Sequence, residues 1–339
     1  MIQHNQPTIS EKDNDLVSGV LSSGWLAAGE NVAAFEAQFA ELYGLSTENV
    51  VAVSSGSAAI FLALMAMDAR DKRVAIPAYS CSSLENAVQL AQAQPVYIDS
   101  CEESFNMDQD LLDSEDLVIH PHMFGFPSVI DNAWKSQLIE DCAQSIGSLV
   151  DGKLAGLQGE IGVFSFYATK MLTTAGQGGL VISKNADYIS FIKDFIEFDQ
   201  KVDGKIRFNL SMTDLQAAMG RNQLTQLFEY FIPKRDEIFK KYCSTGMSFY
   251  NAQDRRVKPV RFRALLKVCS QIDAIEFLKS EGVKSIVPVS EKEILGGNKD
   301  ELTNAYRHSR SWISIPCYPS LSEELVDKIT LAIDKMGKF

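Results

Sequence analysis

A lysine follows one short apolar run of the chain and stands ahead of a glycine-rich loop. The run is Ile161–Phe166, the lysine is Lys170, and the loop contains Gly176, Gly178 and Gly179. A lysine that is partly withdrawn from water beside other cations loses its proton more readily, and its neutral amine can attack an aldehyde. Most isolated lysines are solvated surface charges, so this segment indicates a nucleophile only together with other groups.

An acidic segment ends a second apolar run. Leu138 and Ile139 lead into Glu140 and Asp141, and Gln144 follows shortly after. The carboxyl end of a strand is the edge where open α/β sheets bind their ligands. A carboxylate there can hold a cationic ring nitrogen, and the amide of Gln144 could then reach a ring hydroxyl. Taken alone, the segment is more typical of a helix-capping aspartate and a solvated glutamine.

A serine-rich turn is the third candidate. The segment Ser54-Ser55-Gly56-Ser57-Ala58 leaves the apolar run Val50–Val53 and opens a helical pattern. The turn collects free backbone N–H groups, hydroxyls and the positive end of a helix, which together suit a phosphate. It lacks the lysine of a P-loop and the spacing of a dinucleotide-binding motif, so a plain turn capped by serine is the alternative.

The three segments and their flanks give the sequence a family resemblance. A phosphate-type turn, an acid at a strand end and a later lysine, in this order, resemble the DegT/DnrJ/EryC1/StrS aminotransferases, which are sugar aminotransferases of the aspartate-aminotransferase fold type. The similarity covers most of residues 24–225 and returns at 315–321. Its most specific pieces are Gly24-Trp25, Gly29, Phe35-Glu36, residues 54–59, residues 140–144, Ser165-Phe166 with Lys170, Gln216-Ala217-Ala218 and Gln223-Leu224.

The resemblance implies a site for pyridoxal 5'-phosphate (PLP) that two subunits of a homodimer share. By this resemblance Lys170 binds the cofactor covalently, Asp141 pairs with the pyridine nitrogen, and Gln144 contacts the ring oxygen. The implied phosphate ligands are Gly56, Ser57 and Ser165, with Asn209 from the neighbouring subunit. The implied reaction moves an amino group from an amino acid, with glutamate expected, to a keto-sugar that is free or nucleotide-linked. The family's sugar dehydratases carry histidine in place of the lysine, so Lys170 favours transamination.

Some positions depart from the family pattern and keep other functions open. Family members place an aromatic residue against the cofactor ring, whereas here Cys81 stands at that position and Tyr79 is the nearby substitute. Gln177 replaces a common glutamate, and residues 282–311 do not align with the family's sugar-side loop. One alternative is therefore a PLP-binding regulatory protein with little transaminase turnover.

A second alternative is a PLP enzyme that acts on a non-sugar substrate. Such an enzyme needs a cation for the substrate carboxylate, and the sequence does not choose among the available arginines. The candidates are Arg207, Arg255, Arg261, Arg263, Arg307 and Arg310.

Composition and charge argue against several other classes of protein. The chain has 339 residues and a formal net charge of −12, which disfavours a surface for nucleic acid or anionic membranes. Six scattered cysteines without a C-x-x-C pair fit the reduced cytoplasm. Apolar stretches fall short of the roughly 20 residues that cross a bilayer. We expect His122 in a pocket wall and no metal site, because His120 and His122 lack an acidic partner in the pattern.

The remaining pattern predicts the elements that must position these groups. Strand-like runs alternate with helical patterns between residues 50 and 195, which predicts an α/β fold with a mostly parallel central sheet flanked by helices, in line with PLP-dependent transferase fold type I. A helical region from Thr213 to Tyr242, interrupted near Pro233, then leads away from the sheet. We therefore place a large PLP-binding domain, with the N-terminal helices, at 1–232 and a smaller α+β domain at 233–339. In the latter, Val283–Pro288 is one of the expected strand or helix segments.

Overall fold

The fold is described by a computed structural model that covers residues 1–130 and 136–337. Residues 131–135 and 338–339, which fall within the two expected domain ranges, lie outside the described part. The strands are β1 (Val50–Val53), β2 (Arg73–Pro77), β3 (Gln94–Ile98), β4 (Leu117–Pro121), β5 (Gln137–Asp141), β6 (Leu149–Val150), β7 (Lys153–Leu154), β8 (Ile161–Ser165), β9 (Gly179–Ile182), β10 (Val257–Lys258), β11 (Ala264–Lys267) and β12 (Trp312–Ile315). The α-helices are α1 (Glu11–Ser23), α2 (Glu30–Tyr43), α3 (Gly56–Ala66), α4 (Ser83–Leu90), α5 (Ala186–Ile196), α6 (Asp214–Gln226), α7 (Ile232–Cys243), α8 (Gln271–Ser280), α9 (Thr303–Ser311) and α10 (Glu323–Met336).

Seven strands form a central sheet in the order β1-β9-β8-β5-β4-β2-β3. Strands β3, β2, β4, β5 and β8 run parallel, whereas β9 is antiparallel to both of its neighbours. Strands β1, β4, β8 and β9 are buried along their whole length. Such continuous burial is typical of strands that helices cover on both faces. The predicted mostly parallel α/β sheet is confirmed.

Helices cover both faces of this sheet and create two apolar cores. One core joins the sheet to α3, α4 and α5 through residues such as Leu62, Val88 and Ile192. The other joins it to α2 and α6, where Phe35 and Phe39 pack against aromatic residues of β8 and its end. Because both faces are packed, the free ends of the strands are the natural place for a ligand.

The helix boundaries follow from capping residues that the sequence displays. Ser10 begins α1 through a capping box with Asp13, and Gly44 ends α2 with a left-handed φ of 63°. The long helical region also forms as expected, but its break is a π-helical turn at Leu227–Phe231 just ahead of Pro233. Proline lacks an N–H donor, so it is accommodated in the first turn of α7, where it breaks the fewest hydrogen bonds.

The last third of the chain packs α7, α8 and α10 around the two-stranded sheet β11–β12. The segment Val283–Pro288 forms no strand of its own, and its β-pairing consists of isolated bridges from Val283 to Ile2 and from Ile286 to Ser314. Pairing also joins the two expected domains, because β10 lies beside β6. The division at residue 232 stays a prediction.

Candidate active site

A cavity of about 260 Å³ lies at the carboxyl ends of β4, β5 and β8, where the sequence placed the site. It brings together seven of the nine residues that the sequence predicted to bind the cofactor, although they are spread over more than a hundred positions. These are Gly56, Ser57, Cys81, Asp141, Gln144, Ser165 and Lys170.

Lys170 lies in a tight turn after β8, where its N–H donates to the carbonyl of Tyr167 at 2.8 Å. Its Nζ lies 5.4 Å from the centre of the Phe262 ring. Burial lowers the pKa of Lys170 below its ordinary value, and the nearby carboxylate of Asp141 opposes that change. A buried amine of this kind is neutral more often than a surface lysine, which suits a nucleophile.

Asp141 ends β5 and is almost fully buried. Its Oδ1 accepts a hydrogen bond from the backbone N–H of Ala143 at 2.8 Å. Burial raises the pKa of Asp141, while that hydrogen bond and the charge of Lys170 act in the opposite direction. A carboxylate with so few donors around it is well suited to bind a cationic group that enters the cavity.

The start of α3 supplies the anion-binding end of the cavity. The Ser55 side chain caps the helix by accepting from the N–H of Ala58 at 3.1 Å, and the hydroxyls of Ser57 and Ser83 lie 2.7 Å apart. Gly56 has to be glycine, since a Cβ there would lie 2.6 Å from the Cβ of Ser165. This close approach sets the Ser165 hydroxyl beside the helix N-terminus, where free N–H groups favour an anion.

Gln144 is oriented by the loop after β4. Its Oε1 accepts a hydrogen bond from the N–H of Phe124 at 2.8 Å. The amide must therefore turn its Nε2, the donating end, away from that loop. Because Gln144 lines the cavity, this end is available to an oxygen of a bound ligand.

Behind the cavity, a buried pair fixes the strand that carries Asp141. His122 Nδ1 accepts from the N–H of Ser128, so its Nε2 donates to Glu140 at 2.8 Å. Glu140 also accepts from the N–H groups of Gly156 and Gln158 at 2.6 and 2.7 Å. Burial alone would raise the pKa of Glu140, but hydrogen bonds from His122 and Gln158 hold it below its ordinary value.

This same buried pair belongs to a cluster whose composition could suit a metal ion. Within the described residues, the cluster that has the right spacing is His122, Glu140 and Cys142. Its carboxylate oxygens are already used by protein donors, and burial raises the pKa of the Cys142 thiol. These groups therefore position β5 and the cavity wall, in which His122 takes part.

Two of the predicted cofactor residues are not brought to this cavity. Tyr79 is fully buried in an aromatic cluster, stacked at 5.8 Å on Phe105 and edge-on to Phe124 and His308. Asn209 is exposed, ahead of the start of α6, and does not line the cavity walls. Cys81, by contrast, does line the cavity, so it is the residue of this pair that can face a bound ring.

A second cavity of about 630 Å³ adjoins the first and shares Cys81, Gln144 and Lys170 with it. Sequence reasoning missed most of its other walls, which include Phe262, Arg263, Val289 and Glu293. They come from segments without a recognisable motif, and two of them lie within residues 282–311, which do not align with the family's sugar-side loop. A hint was present only for Arg263, as one arginine among six. The pair of cavities provides one compartment with the lysine between a polar, anion-binding end and a wider chamber.

Comparison with known proteins identifies the family. The model of the DegT/DnrJ/EryC1/StrS aminotransferase family matches residues 7–334. This chain belongs to that family. It is therefore a PLP-dependent aminotransferase, which confirms the activity, the cofactor and the family resemblance expected from the sequence.

Relatives and solved structures agree with this membership. A GDP-perosamine synthase of Escherichia coli O157:H7 is 30% identical over 256 residues, which are 70% of each chain. A UDP-4-amino-4,6-dideoxy-N-acetyl-beta-L-altrosamine transaminase of Campylobacter jejuni is 27% identical over 95% of this chain and 94% of its own. The aminotransferase TlmJ from Streptoalloteichus hindustanus superposes with a TM-score of 0.91 at 24% identity, covering 99% of this chain and 98% of its own. This last likeness confirms the fold.

The cavity residues fit the cofactor of the family. PLP carries a phosphate, a pyridine nitrogen, a ring oxygen and an aldehyde. The described cavity offers a helix N-terminus with hydroxyls, a buried carboxylate, an amide donor and a lysine, one for each of these groups. The individual roles of these residues stay predictions.

Within the described residues, the helices are too short or too polar to cross a membrane.

Proposed function

We propose that this protein transfers an amino group from an amino acid, with glutamate as the donor, to a keto-sugar that carries a nucleotide. The observation that supports it most is the shared wall of the two cavities, which places Lys170 between an anion-binding pocket and a chamber wide enough for a sugar. The names of the relatives, which include GDP-, UDP- and dTDP-sugar transaminases, support the same substrate class.

In this proposal each cavity residue has one task. When bound, PLP supplies the electron sink that makes the Cα–H bond of the donor labile. The hydroxyls of Ser57 and Ser165 and the N-terminus of α3 hold the phosphate. Asp141 keeps a proton on the ring nitrogen, and Gln144 Nε2 donates to the ring oxygen. Lys170 Nζ would carry the proton between the Cα of the amino donor and the aldehyde carbon of the cofactor.

We propose further that the working unit is a homodimer with shared active sites. The segment ahead of α6 exposes Ile206 by 86% and Phe208 by 64%, and Asn209 follows directly. Trp25, in the connection between α1 and α2, is 63% exposed. Exposed side chains of this size favour burial against a second copy, which would carry Asn209 toward the partner's phosphate. We also propose that the protein works in the cytoplasm, because all six cysteines are free thiols. We propose polysaccharide biosynthesis as its pathway class.

The first test is spectroscopic. The purified protein mixed with PLP should acquire the visible absorbance band of a lysine-bound cofactor, and L-glutamate should bleach this band. Lys170→Ala should abolish both effects, whereas Lys153→Ala, which removes an exposed lysine on β7, should leave both intact. A band that persists and bleaches in Lys170→Ala would refute the assignment of the lysine.

The second test concerns the acceptor. The glutamate-treated protein is mixed with keto-sugars linked to GDP, UDP or dTDP and with the same free sugars, and aminated products are sought by mass spectrometry. We expect product from at least one nucleotide-linked sugar and return of the visible band. Amination of small keto acids alone would contradict the sugar assignment while leaving the aminotransferase activity intact.

A further inference from the structure

Arg263 presents a cation without an acidic partner to the second cavity. It stands between the buried Phe262 and the start of β11 and lines the chamber that Lys170 also lines. Its Nη1 lies 3.3 Å from His4 Nε2 and 3.4 Å from Ser314 Oγ, both long for hydrogen bonds, and its Nε has no partner within the described chain. Among the six candidate arginines in the described residues, Arg207, Arg261, Arg307 and Arg310 form salt bridges, and Arg255 is exposed and lies outside the chamber. Arg263 is therefore the candidate that lines the chamber without a salt bridge.

The surroundings of Arg263 give it no salt bridge within the described residues, although the charge of Glu293 acts on it from a longer distance and raises its pKa. Burial lowers the pKa of His4 to about 3, with Arg263 itself adding to the effect, so the imidazole is uncharged at neutral pH. Burial also lowers the pKa of Arg263 to about 10, which leaves the guanidinium charged at neutral pH. A charge that is held in a largely enclosed place without a counter-ion is costly, so an anion that enters the chamber is strongly favoured.

The other charged groups of the chamber are less suited than Arg263 to bind an anion. Lys292 and Glu293 are exposed on the late loop, and Glu293 already accepts hydrogen bonds from the N–H and hydroxyl of Ser290. Glu85 binds the hydroxyl of Tyr97 at 2.6 Å. The enclosed cations of the chamber are therefore Lys170, which is committed to the cofactor, and Arg263.

We propose that Arg263 binds the α-carboxylate of the amino-donor substrate. The inference rests on the proposed aminotransferase reaction and adds the residue that recognises its first substrate. In an α-amino acid the carboxylate and the reacting amine share one carbon, so the carboxylate must bind close to Lys170. Arg263 meets this condition, because its guanidinium lies 5.2 Å from the centre of the same Phe262 ring that Lys170 approaches at 5.4 Å.

The geometry favours a carboxylate over the diphosphate of a nucleotide-linked sugar. A diphosphate is separated from the reacting carbon by the whole sugar ring, so it belongs nearer the exposed mouth of the chamber, where Lys292 lies. The planar fork of arginine matches the two oxygens of a carboxylate, which a lysine cannot reproduce. Arg263 would thus be chosen over lysine for shape as well as charge.

The test compares two amines that differ only in the α-carboxylate. PLP-loaded parent protein, Arg263→Gln and Arg263→Lys are titrated with L-glutamate and with 4-aminobutyrate, which is glutamate without that carboxylate, and bleaching of the visible band is followed. Arg263→Gln should raise the half-saturating glutamate concentration by about tenfold or more and leave that of 4-aminobutyrate unchanged. Arg263→Lys should recover only part of the loss. The matched control is Arg310→Gln, an exposed arginine that pairs with Glu291 outside the chamber.

Binding without turnover keeps this inference separate from the proposed reaction. The probe 2-methylglutamate retains the amine and both carboxylates but has no α-hydrogen to lose, so its spectral change reports binding alone. Binding of 2-methylglutamate that is equally tight in the parent protein and in Arg263→Gln would overturn the inference. It would also be overturned if the only effect of Arg263→Gln were that nucleoside diphosphates no longer compete with 2-methylglutamate for binding. If glutamate fails to bleach the parent protein while 2-methylglutamate still needs Arg263, the proposed donor reaction is wrong and the carboxylate site stands. An unchanged PLP band in Arg263→Gln shows that the variant is folded.

Discussion

At the residue scale, burial shifts the pKa values of Lys170 and Asp141, and the charge of each residue opposes the shift of the other. Burial lowers the pKa of the lysine and raises that of the aspartate, while their mutual attraction opposes both changes. Each charge therefore offsets part of the cost of burying the other. Such opposing shifts are typical of groups that exchange protons with a ligand.

Replacement of Asp141 by asparagine should change how Lys170 reacts with PLP. The carboxylate of Asp141 raises the pKa of Lys170, so its loss lets this pKa fall further. The neutral amine is then present at lower pH, and the rate of cofactor attachment should rise at lower pH than in the parent protein. The affinity for PLP should drop by about tenfold or more, because the partner of the ring nitrogen is lost. Rates of band appearance across pH and equilibrium dialysis measure the two effects.

The control for this experiment is Asp110→Asn, since Asp110 is an exposed acid outside both cavities. It should behave as the parent protein does. A pH profile that stays in place in Asp141→Asn, together with unchanged PLP affinity, would mean that Asp141 does not act on the lysine or the ring.

At the element scale, three chain segments meet where α3 begins. The start of α3 lies against the end of β8, and a Cβ on Gly179 at the start of β9 would lie 2.3 Å from the carbonyl oxygen of Ser55. The loop before β9 is held in turn by α6, because Gln216 donates to the carbonyl of Gln177 at 2.8 Å. The Q-A-A segment singled out in the sequence therefore supports the glycine loop that follows Lys170.

Gly56→Ala should weaken cofactor binding more than it weakens the fold. The added methyl group would lie 2.6 Å from the Cβ and 2.8 Å from the hydroxyl of Ser165, so the serine must move away from the phosphate position. We expect about tenfold lower PLP affinity and a loss of about 1–2 kcal/mol in the free energy of unfolding. PLP titration and thermal unfolding measure these changes.

Gly19→Ala in α1 is the matched control. A Cβ at Gly19 meets nothing within 4 Å, so alanine should stabilise the protein by about 0.5–1 kcal/mol through the unfolded chain. Its PLP affinity should equal that of the parent. Equal PLP affinity in Gly56→Ala would show that the contact with Ser165 is not used for the phosphate.

At the scale of the whole molecule, the active compartment is built from distant parts of the chain. The first cavity uses the strand ends of the large sheet, and the second adds residues beyond 260 that fold back over it. Ile2 and Phe249 also pair with late segments of the chain, so the N-terminus is tied to the same region. The exposed segment that holds Asn209 points to a further contribution from a second copy.

Subunit complementation tests the proposed sharing of the active site between two subunits. Lys170→Ala and Asn209→Ala homodimers should each be inactive or weak, but mixing and re-associating them should restore one working site per heterodimer. That site combines Lys170 of one subunit with Asn209 of the other, whereas a residue that acts within its own subunit restores nothing. Activity before and after mixing, with the mass of the complex measured by light scattering, decides between these outcomes. A protein that remains monomeric would contradict the proposed assembly.

The sequence by itself determined the family, the parallel sheet and most of the first cavity. These features depend on local patterns. Buried β-branched runs predict strands, and Ser10 and Gly44 mark helix ends. The positions of Asp141 at the end of one strand and of Lys170 shortly after another follow from the topology of such sheets. Only the tertiary structure separated Cys81 from Tyr79, because burial in an aromatic cluster depends on residues that are remote in sequence. The tertiary structure likewise singled out Arg263 from six arginines. Whether an arginine has an acidic partner depends on residues that are distant in sequence, so no local sequence pattern can show it.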